Sequence, residues 1–295
     1  MISATLFGGL GNQMFIYAMV RALALRNNTS YAFNKNNGFI TDVQFQRFLE
    51  LQHFDLSLPM SQIHTYDFGK IGRIIKFFSR KFGRNILCPH DKYMIEDRNM
   101  HFEELYKNKQ LKNAYLEGYW QSAKYFEDYE DIIRKDFSIK TKIPDSVLEE
   151  VDFLKSQNRQ LVMIGIRRYQ ECKNQSYLTE HLCGDEYYSS AIKLVNEKIE
   201  NPLFVVFSQD REWVEKNILN SFKDSSYFVK EKIGELSAIS DLYIMQSCNH
   251  AIISNSSFYW WGAWLQPRHN EQIIVAPDNF INKDSPCSNW KIIHV

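Results

Sequence analysis

From about residue 155 to the C-terminus, short apolar runs alternate with segments of helical period. Predicted strands cover 161–166, 203–207, 227–229, 251–253 and 272–276. Predicted helices cover 185–200, 212–219, 240–248, which we expect Ser240 to cap, and 258–265. Alternating strands and helices are typical of a parallel sheet with helical crossovers. This half of the chain is therefore predicted to be a Rossmann-like α/β domain with a parallel sheet.

The first half gives a clear pattern only at its start. Residues 2–7 predict a strand, 8–13 a glycine-rich turn, and 14–26 a helix rich in Ala and Leu. The stretch 30–140 is predicted to mix loops and short helices. A linker is expected at 140–146, which contains Pro144, so we divide the 295 residues into domains 1–145 and 146–295.

Charge and cysteine usage narrow the class of protein. The 35 basic and 35 acidic residues cancel, whereas a nucleic-acid binder would usually be basic, so no nucleic-acid partner is expected. The five cysteines include no Cys-x-x-Cys pair and predict no zinc site. Free thiols favour the cytoplasm. No apolar run is long enough to span a membrane, and the N-terminus does not resemble a signal peptide.

One basic cluster, residues 70–84, interleaves Lys and Arg with Ile and Phe. A solvated basic helix is the default interpretation. The alternative is a peripheral contact with a membrane, here the inner face of the cell membrane.

The glycine-rich turn does not match a dinucleotide fingerprint. After Gly9 and Gly11 the third glycine would fall at Met14, and no acidic residue near position 30 is placed to hold a ribose. No Gly-Lys-Ser/Thr follows, so a P-loop is excluded too, and an NAD-dependent oxidoreductase is disfavoured. What remains is a turn that lets the backbone approach a ligand closely, with Asn12 offering an amide.

Charged and hydroxyl side chains follow the predicted strands of the second half. In a parallel sheet, ligands bind beyond the carboxyl ends of the strands. The residues at those ends are Arg167 and Arg168, Ser208 to Asp210, Ser254 to Ser257, and Asp278. Two guanidinium groups and several hydroxyls at a helix start predict a nucleotide-diphosphate site.

The arginines suggest how a leaving diphosphate would be stabilised. Many glycosyltransferases hold it with a divalent metal bound by Asp-x-Asp, and this chain contains no Asp-x-Asp. We therefore expect Arg167 and Arg168 to replace the metal, and no cofactor to be needed. The competing interpretation makes one of them a surface salt bridge.

Other strand-end residues keep two interpretations. Ser256 and Ser257 can cap a helix and can also bind an anion at its N-terminus. Asp210 either accepts from a guanine or ribose or only begins the next helix. The aromatic run 259–264 is predicted to be core packing behind the site.

Several motifs together resemble the α-1,2-fucosyltransferases of glycosyltransferase family 11. They are Phe7-Gly8-Gly9-Leu10-Gly11-Asn12-Gln13-Met14-Phe15, Gly118-Tyr119-Trp120-Gln121-Ser122, Cys183 to Tyr188, Phe207-Ser208-Gln209-Asp210, and the stretch from Asp241 through Asn255 to Ala263. They occur in the family's order over nearly the whole chain.

The resemblance implies a GT-B-like α/β fold and a metal-independent, inverting transfer of L-fucose. The implied donor is GDP-β-L-fucose, and the implied acceptor is the 2-hydroxyl of a galactose-terminated oligosaccharide, lipid-linked in one form, for a surface polysaccharide or O-antigen. The first domain would then serve the acceptor and the second the GDP-sugar. By motif position, the catalytic residues are Arg168 and Asn12, and the donor-binding residues are Arg167, Arg168, Asp210, Ser256, Ser257, Gly9, Gly11 and Asn12.

One departure from the family stands out. The family's His-x-Arg-Arg-x-Asp motif here carries Gly165 in place of His and Gln170 in place of Asp. The candidates for a substitute general base are Glu171, His181 and Asp185; alternatively, an oxocarbenium-like centre needs little help from a base. The loss also leaves open a non-catalytic relative that binds a GDP-sugar or glycan, although the intact arginine pair argues against it.

Overall fold

The computed structural model describes residues 1–35, 38–39, 46–60, 93–96, 102, 111–169 and 181–295. The chain divides into two compact units, Met1–Lys140 and Thr141–Val295. The division predicted after residue 145 lies slightly further along the chain.

The first unit contains a parallel four-stranded sheet in the order β2-β1-β4-β3. Its strands are β1 Ile2–Thr5, β2 Tyr31–Asn34, β3 Tyr93–Ile95 and β4 Ala114–Glu117. Three of these strands fall where the sequence predicted loops and short helices. The prediction is wrong for those three segments, although short helices do occur in the same stretch, such as Leu51–His53 and Ala123–Tyr125. Strands of three or four residues are too short to show a period, which is why the pattern missed them.

Helix α1, Leu10–Arg26, follows β1, and helix α2, Glu130–Asp136, lies near the end of the unit. α1 begins at Leu10, a turn earlier than predicted, because Gly9 takes the extended N-cap conformation. Within α1 only Asn12, Arg21, Leu25 and Arg26 escape burial. A helix that is apolar nearly all round belongs to a core, and α1 is the centre of this unit.

The second unit contains a parallel six-stranded sheet in the order β10-β9-β8-β5-β6-β7. Its strands are β5 Gln160–Ile166, β6 Pro202–Ser208, β7 Ser226–Phe228, β8 His250–Ile253, β9 Ile274–Pro277 and β10 Lys291–Ile293. Its helices are α3 Asp145–Ser156, α4 Asp185–Lys198, α5 Arg211–Asn217, α6 Ser237–Gln246 and α7 Ser257–Trp264. The predicted alternation of strands and helices is confirmed.

Two details of that prediction are wrong. Strand β10 was not predicted, since two of its three residues are exposed and its first residue is Lys291. Ser240 does not cap a helix, because α6 begins at Ser237 and Ser240 lies buried inside it.

Helices cover both faces of this sheet. Val162, Ile164 and Ile166 of β5 pack in one core with residues of α4 and α5. The alternate residues Met163 and Gly165 face α6 and α7, since a Cβ built on Gly165 meets Tyr259 and one on Gly262 meets Met163. Side chains alternate along a strand, so the two residues that follow Ile166 are set to leave the strand toward opposite faces.

Candidate active site

The carboxyl edge of the larger sheet gathers most of the predicted site residues. β5 lies between β8 and β6 in this sheet, and all three strands are parallel. Their carboxyl ends therefore meet at one edge. Arg167 and Arg168 follow β5, Asp210 follows β6, and Ser254 to Ser257 follow β8.

Arg168 is held by its surroundings but keeps donors to spare. Its guanidinium carbon lies 4.0 Å from the centre of the Trp213 ring of α5. Its Nη1 donates to the carbonyl oxygen of Cys183 at 3.2 Å. A guanidinium carries five N–H donors, and Arg168 is only half-buried. Within the described residues, the stack and this one hydrogen bond fix the direction of the fork, and the other N–H donors of Arg168 have no partner there.

Arg167 lies on the other side of the strand end. Its Nη1 donates to Oε1 of Gln209 at 2.5 Å. Its guanidinium carbon lies 4.9 Å from the centre of the Tyr169 ring. Its backbone N–H donates to Oγ of buried Ser254 at 3.2 Å, which ties the end of β5 to the end of β8. The pair is thus two separately supported cations on either side of one strand end.

Tyr169 shapes this edge in a way that the sequence did not predict. Its φ is +50°, a left-handed conformation that bulky residues rarely adopt. Its hydroxyl donates to the carbonyl oxygen of Asn255. The aromatic supports of the two arginines, Tyr169 and Trp213, were both missed. Periodicity predicted the helix that contains Trp213 but not which side chain stacks on an arginine, and Tyr169 lies outside every predicted element.

Ser256 and Asp210 act as helix caps. Oγ of Ser256 accepts from the N–H of Tyr259 at 3.5 Å, and Oδ1 of Asp210 accepts from the N–H of Trp213 at 3.0 Å. Ser257 is the first residue of α7, and both serines are half-buried. The capping interpretation is confirmed for Ser256 and Asp210, and a role for any of the three with a nucleotide stays a prediction. The run 259–264 is buried, as predicted.

Gly165 is where the family motif has His, and the space is already filled. A Cβ at this position would lie 2.4 Å from Cγ of Tyr259. The Tyr259 hydroxyl donates toward the carbonyl oxygens of Phe207 at 3.2 Å and Ile166 at 3.5 Å. The Tyr259 ring therefore occupies the room that any side chain at Gly165 would need.

We predict that Gly165→His lowers the free energy of unfolding by about 1–3 kcal/mol or more, because it overpacks a buried strand. The double variant Gly165→His/Tyr259→Ser should be more stable than Gly165→His alone. Urea unfolding of the unmodified protein, the two single variants and the double variant measures this. A double variant that loses the sum of the two single losses would show that the two side chains do not share the space.

The candidate bases are only partly placed. His181 lies at the same edge, with Nδ1 3.5 Å from Nδ2 of Asn255. Asp185 is exposed in the first turn of α4, which is capped by Gly184. Glu171 and Gln170 lie outside the described residues. The structure thus brings His181 next to the residues after β8 and leaves the identity of the base a prediction.

A buried ion network anchors the loop that follows β7 at this edge. Nζ of Lys232 lies 3.1 Å from Oε2 of Glu150 and 3.5 Å from Oδ1 of Asp241. Oε1 of Glu150 also accepts from the N–H of Lys230 at 2.9 Å and the hydroxyl of Tyr227 at 3.1 Å. The loop 229–236 is therefore fixed to α3 and α6.

In the first unit, the glycine-rich turn is built around Gln13. Its buried side-chain amide donates to the carbonyl oxygens of Gly8 at 2.9 Å and Phe48 at 2.8 Å, and accepts from the N–H of Glu50 at 3.0 Å. The residue with positive φ is Gly8, at +77°, whereas Gly9 is the N-cap of α1 and Gly11 is buried in its first turn. Of the three glycines, Gly8 is the one whose conformation requires glycine.

The amino end of α1 already holds a carboxylate of this chain. Glu50 accepts from the N–H of Leu10. Burial raises the pKa of Glu50 to about 7, while the charge of Arg47 and the Leu10 bond act to lower it. The guanidinium of Arg47 in turn approaches within 3.8 Å of a Cβ built on Gly9. A phosphate at this helix end would compete with Glu50, in keeping with the exclusion of a dinucleotide or P-loop site.

The side-chain amide of Asn12 has its oxygen hydrogen-bonded within the first unit, whereas its nitrogen can donate to a ligand. Its Oδ1 accepts from Nε2 of Gln121 at 2.8 Å, and it is half-buried. Nδ2 has no hydrogen-bond partner in the described part of the chain. Asn12 is thus a positioned donor at the carboxyl end of β1.

Two further observations concern the described residues only. They contain no cluster of three or more His, Cys, Asp or Glu residues that could hold a metal ion. None of their helices is both long enough and apolar enough to cross a membrane. The basic cluster at 70–84 lies outside the described residues.

Comparison with known proteins identifies relatives over the whole chain. The model of "Glycosyl transferase family 11" matches residues 1–293. The chain is 29% identical to the alpha-1,2-colitosyltransferase of Escherichia coli, over 97% of this chain and 96% of that protein. It is 28% identical to the O-antigen biosynthesis glycosyltransferase WbnK of Escherichia coli, over 92% of each. It is 26% identical to the galactoside 2-alpha-L-fucosyltransferase Sec1 of Mus musculus, over 95% of this chain and 67% of that one.

Among solved structures, the fold is similar to NodZ alpha-1,6-fucosyltransferase co-crystallized with GDP. The TM-score is 0.53, the sequence identity is 12%, and the match covers 95% of each chain. Together with the two parallel α/β units, this likeness confirms the predicted GT-B-like fold.

Proposed function

The chain belongs to glycosyl transferase family 11, and from that premise we propose that it transfers L-fucose from GDP-β-L-fucose to the 2-hydroxyl of a galactoside. The observation that carries the proposal is the pair of supported guanidinium groups at the carboxyl end of β5. Similarity to a galactoside 2-alpha-L-fucosyltransferase supports the sugar and the linkage.

In the proposed reaction, the acceptor oxygen forms a bond to the anomeric carbon as the bond from that carbon to the phosphate oxygen breaks. The electron pair stays on the departing GDP, and the acceptor hydroxyl loses its proton. Arg167 and Arg168 stabilise the negative charge that grows on the diphosphate, where a fixed cation acts most strongly on the rate. His181 and Asp185 are the described candidates for accepting the proton, and Glu171 is the third.

The support of each arginine favours this role. A guanidinium that is already stacked and hydrogen-bonded loses little freedom when it binds phosphate. The hydroxyl of Ser257 and the amino end of α7 lie at the same edge and would add donors. We propose that no metal ion is required, since the sequence has no Asp-x-Asp to hold one.

A second donor has a specific observation in its favour, namely similarity to an alpha-1,2-colitosyltransferase. Colitose is fucose without the hydroxyl on carbon 3. A site that hydrogen-bonds this hydroxyl would reject the deoxy sugar by a factor of about 10⁴, whereas an apolar pocket would discriminate weakly. The donor preference thus reports the polarity of the pocket around carbon 3.

The relatives support a place in surface polysaccharide or O-antigen synthesis, because one of them is named for O-antigen biosynthesis. We propose further that the acceptor is a galactose-terminated oligosaccharide, lipid-linked in one form. The proposed location is the cytoplasm, at the inner face of the membrane. The free thiols of Cys183 and Cys248 are buried and fit that location.

The assay measures GDP release and product formation with GDP-fucose or GDP-colitose, a β-galactoside acceptor and excess EDTA. We expect acceptor-dependent turnover with GDP-fucose that EDTA does not abolish. Turnover with GDP-colitose alone would reassign the donor. Tight GDP binding without turnover on any acceptor would instead support the non-catalytic relative that the loss of the family's His and Asp at positions 165 and 170 suggests.

A further inference from the structure

We propose that Glu96 is a positioning residue that orients the Asn12 amide through the turn formed by residues 118–121. The inference rests on the proposed function for the role of Asn12, and on geometry within the first unit for everything else.

Glu96 follows β3 and reaches the turn that follows β4. Its Oε2 accepts from the backbone N–H of Tyr119 at 2.6 Å, and its Oε1 accepts from that of Trp120 at 3.0 Å. Glu96 is 8% exposed. With both oxygens engaged and little access to solvent, Glu96 is placed to act through the turn and not on a substrate directly.

The turn is shaped to receive this carboxylate. A Cβ on Gly118 would lie 2.4 Å from Cβ of Glu96 and 2.7 Å from its Oε2, so only glycine permits the approach. Trp120 adopts a left-handed φ of +56°, which is strained for a residue with a large side chain. The two charge-assisted hydrogen bonds that the carboxylate accepts from the Tyr119 and Trp120 N–H groups are the interaction that offsets this strain.

The same turn holds Asn12. Nε2 of Gln121, the residue after Trp120, donates to Oδ1 of Asn12 at 2.8 Å, which leaves Nδ2 beside Gly8, 2.8 Å from a Cβ built there. The Tyr119 ring packs on Phe7, with ring centres 4.6 Å apart, and would contact a Cβ on Gly8 at 3.3 Å. The Glu96 carboxylate is therefore connected to Asn12 by a short chain of contacts.

The protonation state of Glu96 should decide how firmly the turn at 118–121 is held. Burial raises the pKa of Glu96 to about 7, against the two backbone hydrogen bonds, which lower it. The carboxylate accepts both N–H groups, whereas the protonated carboxyl turns an O–H donor toward one of them. Glu117 and Tyr119 contact Glu96 through their backbones, since the Glu117 carbonyl oxygen accepts from the Glu96 N–H and the Tyr119 N–H donates to Glu96, and no charged side chain of the described residues shifts the Glu96 pKa. The turn is thus expected to be fixed above about pH 7 and loosened below it.

Selective labelling tests the contact without any assay of activity. When Tyr carries ¹³C at its carbonyl and Trp carries ¹⁵N, NMR can select the backbone amide of each Trp that directly follows a Tyr. The sequence has two such amides, those of Trp120 and Trp260. We expect the Trp120 amide of the full chain to titrate with an apparent pKa near 7 and the Trp260 amide, bonded to the Ser256 carbonyl in a helix, to stay unchanged.

Glu96→Gln should abolish the Trp120 titration. Glu50→Gln is the matched control, since it removes another buried carboxyl whose pKa is raised to about 7 and makes no contact with this turn. It should leave the titration in place. A Trp120 amide that does not titrate in the unmodified protein, or that still titrates in Glu96→Gln, overturns the contact.

Kinetics test the consequence for Asn12. In the unmodified protein, kcat should fall below pH 7 as the turn loosens. Glu96→Gln should lower kcat by about 10-fold or more, as expected for a misplaced contact, and should remove this dependence on pH. The double variant with Asn12→Ala should be no slower than Asn12→Ala alone. Losses that multiply would show that Glu96 does not act through Asn12. An unmodified protein with no turnover on any donor would refute the proposed function, and the labelling experiment would still decide the role of Glu96.

Discussion

Arg168→Ala is expected to lower turnover by about 100-fold or more, while the fold stays intact. The loss arises because the guanidinium stabilises charge that appears on the diphosphate as the bond to the sugar breaks. The stack on Trp213 and the bond to Cys183 hold the fork in place before the substrate arrives. Arg168→Lys should also be impaired, since an ammonium cannot present a planar fork or stack as well on the indole ring.

Arg159→Ala is the matched control. Arg159 precedes the first residue of the same strand β5, at the opposite end of the sheet, and its Nη2 donates to the carbonyl oxygen of Pro202 and to Ser225. It should cost stability and leave turnover little changed. Steady-state rates with a saturating donor, beside unfolding curves for each variant, separate the two effects. Near-normal turnover in Arg168→Ala would contradict the assignment.

Lys232→Met is expected to lower the free energy of unfolding by about 3–5 kcal/mol. The Glu150 side chain is 2% exposed and lies 3.1 Å from Nζ of Lys232, so removing the ammonium leaves a buried carboxylate without its cation. The loop 229–236, at the same sheet edge as the arginines, would lose its anchor. Donor binding should therefore weaken together with stability.

The stability loss caused by Lys232→Met should depend on pH, and the pKa of Asp241 gives the direction of that dependence. Burial raises the pKa of Asp241 to about 6, and Lys232 acts to lower it. A carboxyl whose folded pKa is raised favours the folded state at low pH, and this contribution is lost as pH rises through about 6. The loss caused by Lys232→Met should thus be larger at pH 8 than at pH 5.

The double variant Lys232→Met/Glu150→Gln provides the control, because a neutral amide can still accept from Lys230 and Tyr227 without an unpaired charge. Urea unfolding at both pH values should find it more stable than Lys232→Met alone. A single variant that is no less stable than the unmodified protein would mean that the buried network contributes little.

The second half of the chain was predictable because its central strands are unbroken apolar runs and its helices are long enough to show a helical period. β5 and β6 are continuous apolar runs, and the residues that follow them were correctly predicted to meet at one edge. What the pattern did not give was the direction of the arginines. Strand alternation places Arg167 and Arg168 on different sides, with partners, Gln209 and Trp213, that come from separate elements.

The first half resisted prediction for a physical reason. Its strands are three or four residues long, and their stability comes from packing around α1, which no local pattern records. Glu96 in particular stands in a segment without periodicity, and its role depends on a glycine and a tryptophan in a distant turn. Gly118 was recognised as part of a motif, but the carboxylate that requires it was not.

The most direct test of the arginine assignment compares the affinities of GDP and GMP by calorimetry in the presence of EDTA. We expect the unmodified protein to bind GDP much more tightly than GMP, because the second phosphate is the one that the guanidinium groups hold, and we expect Arg167→Ala/Arg168→Ala to remove this difference. A double variant that keeps the full preference for GDP would contradict it.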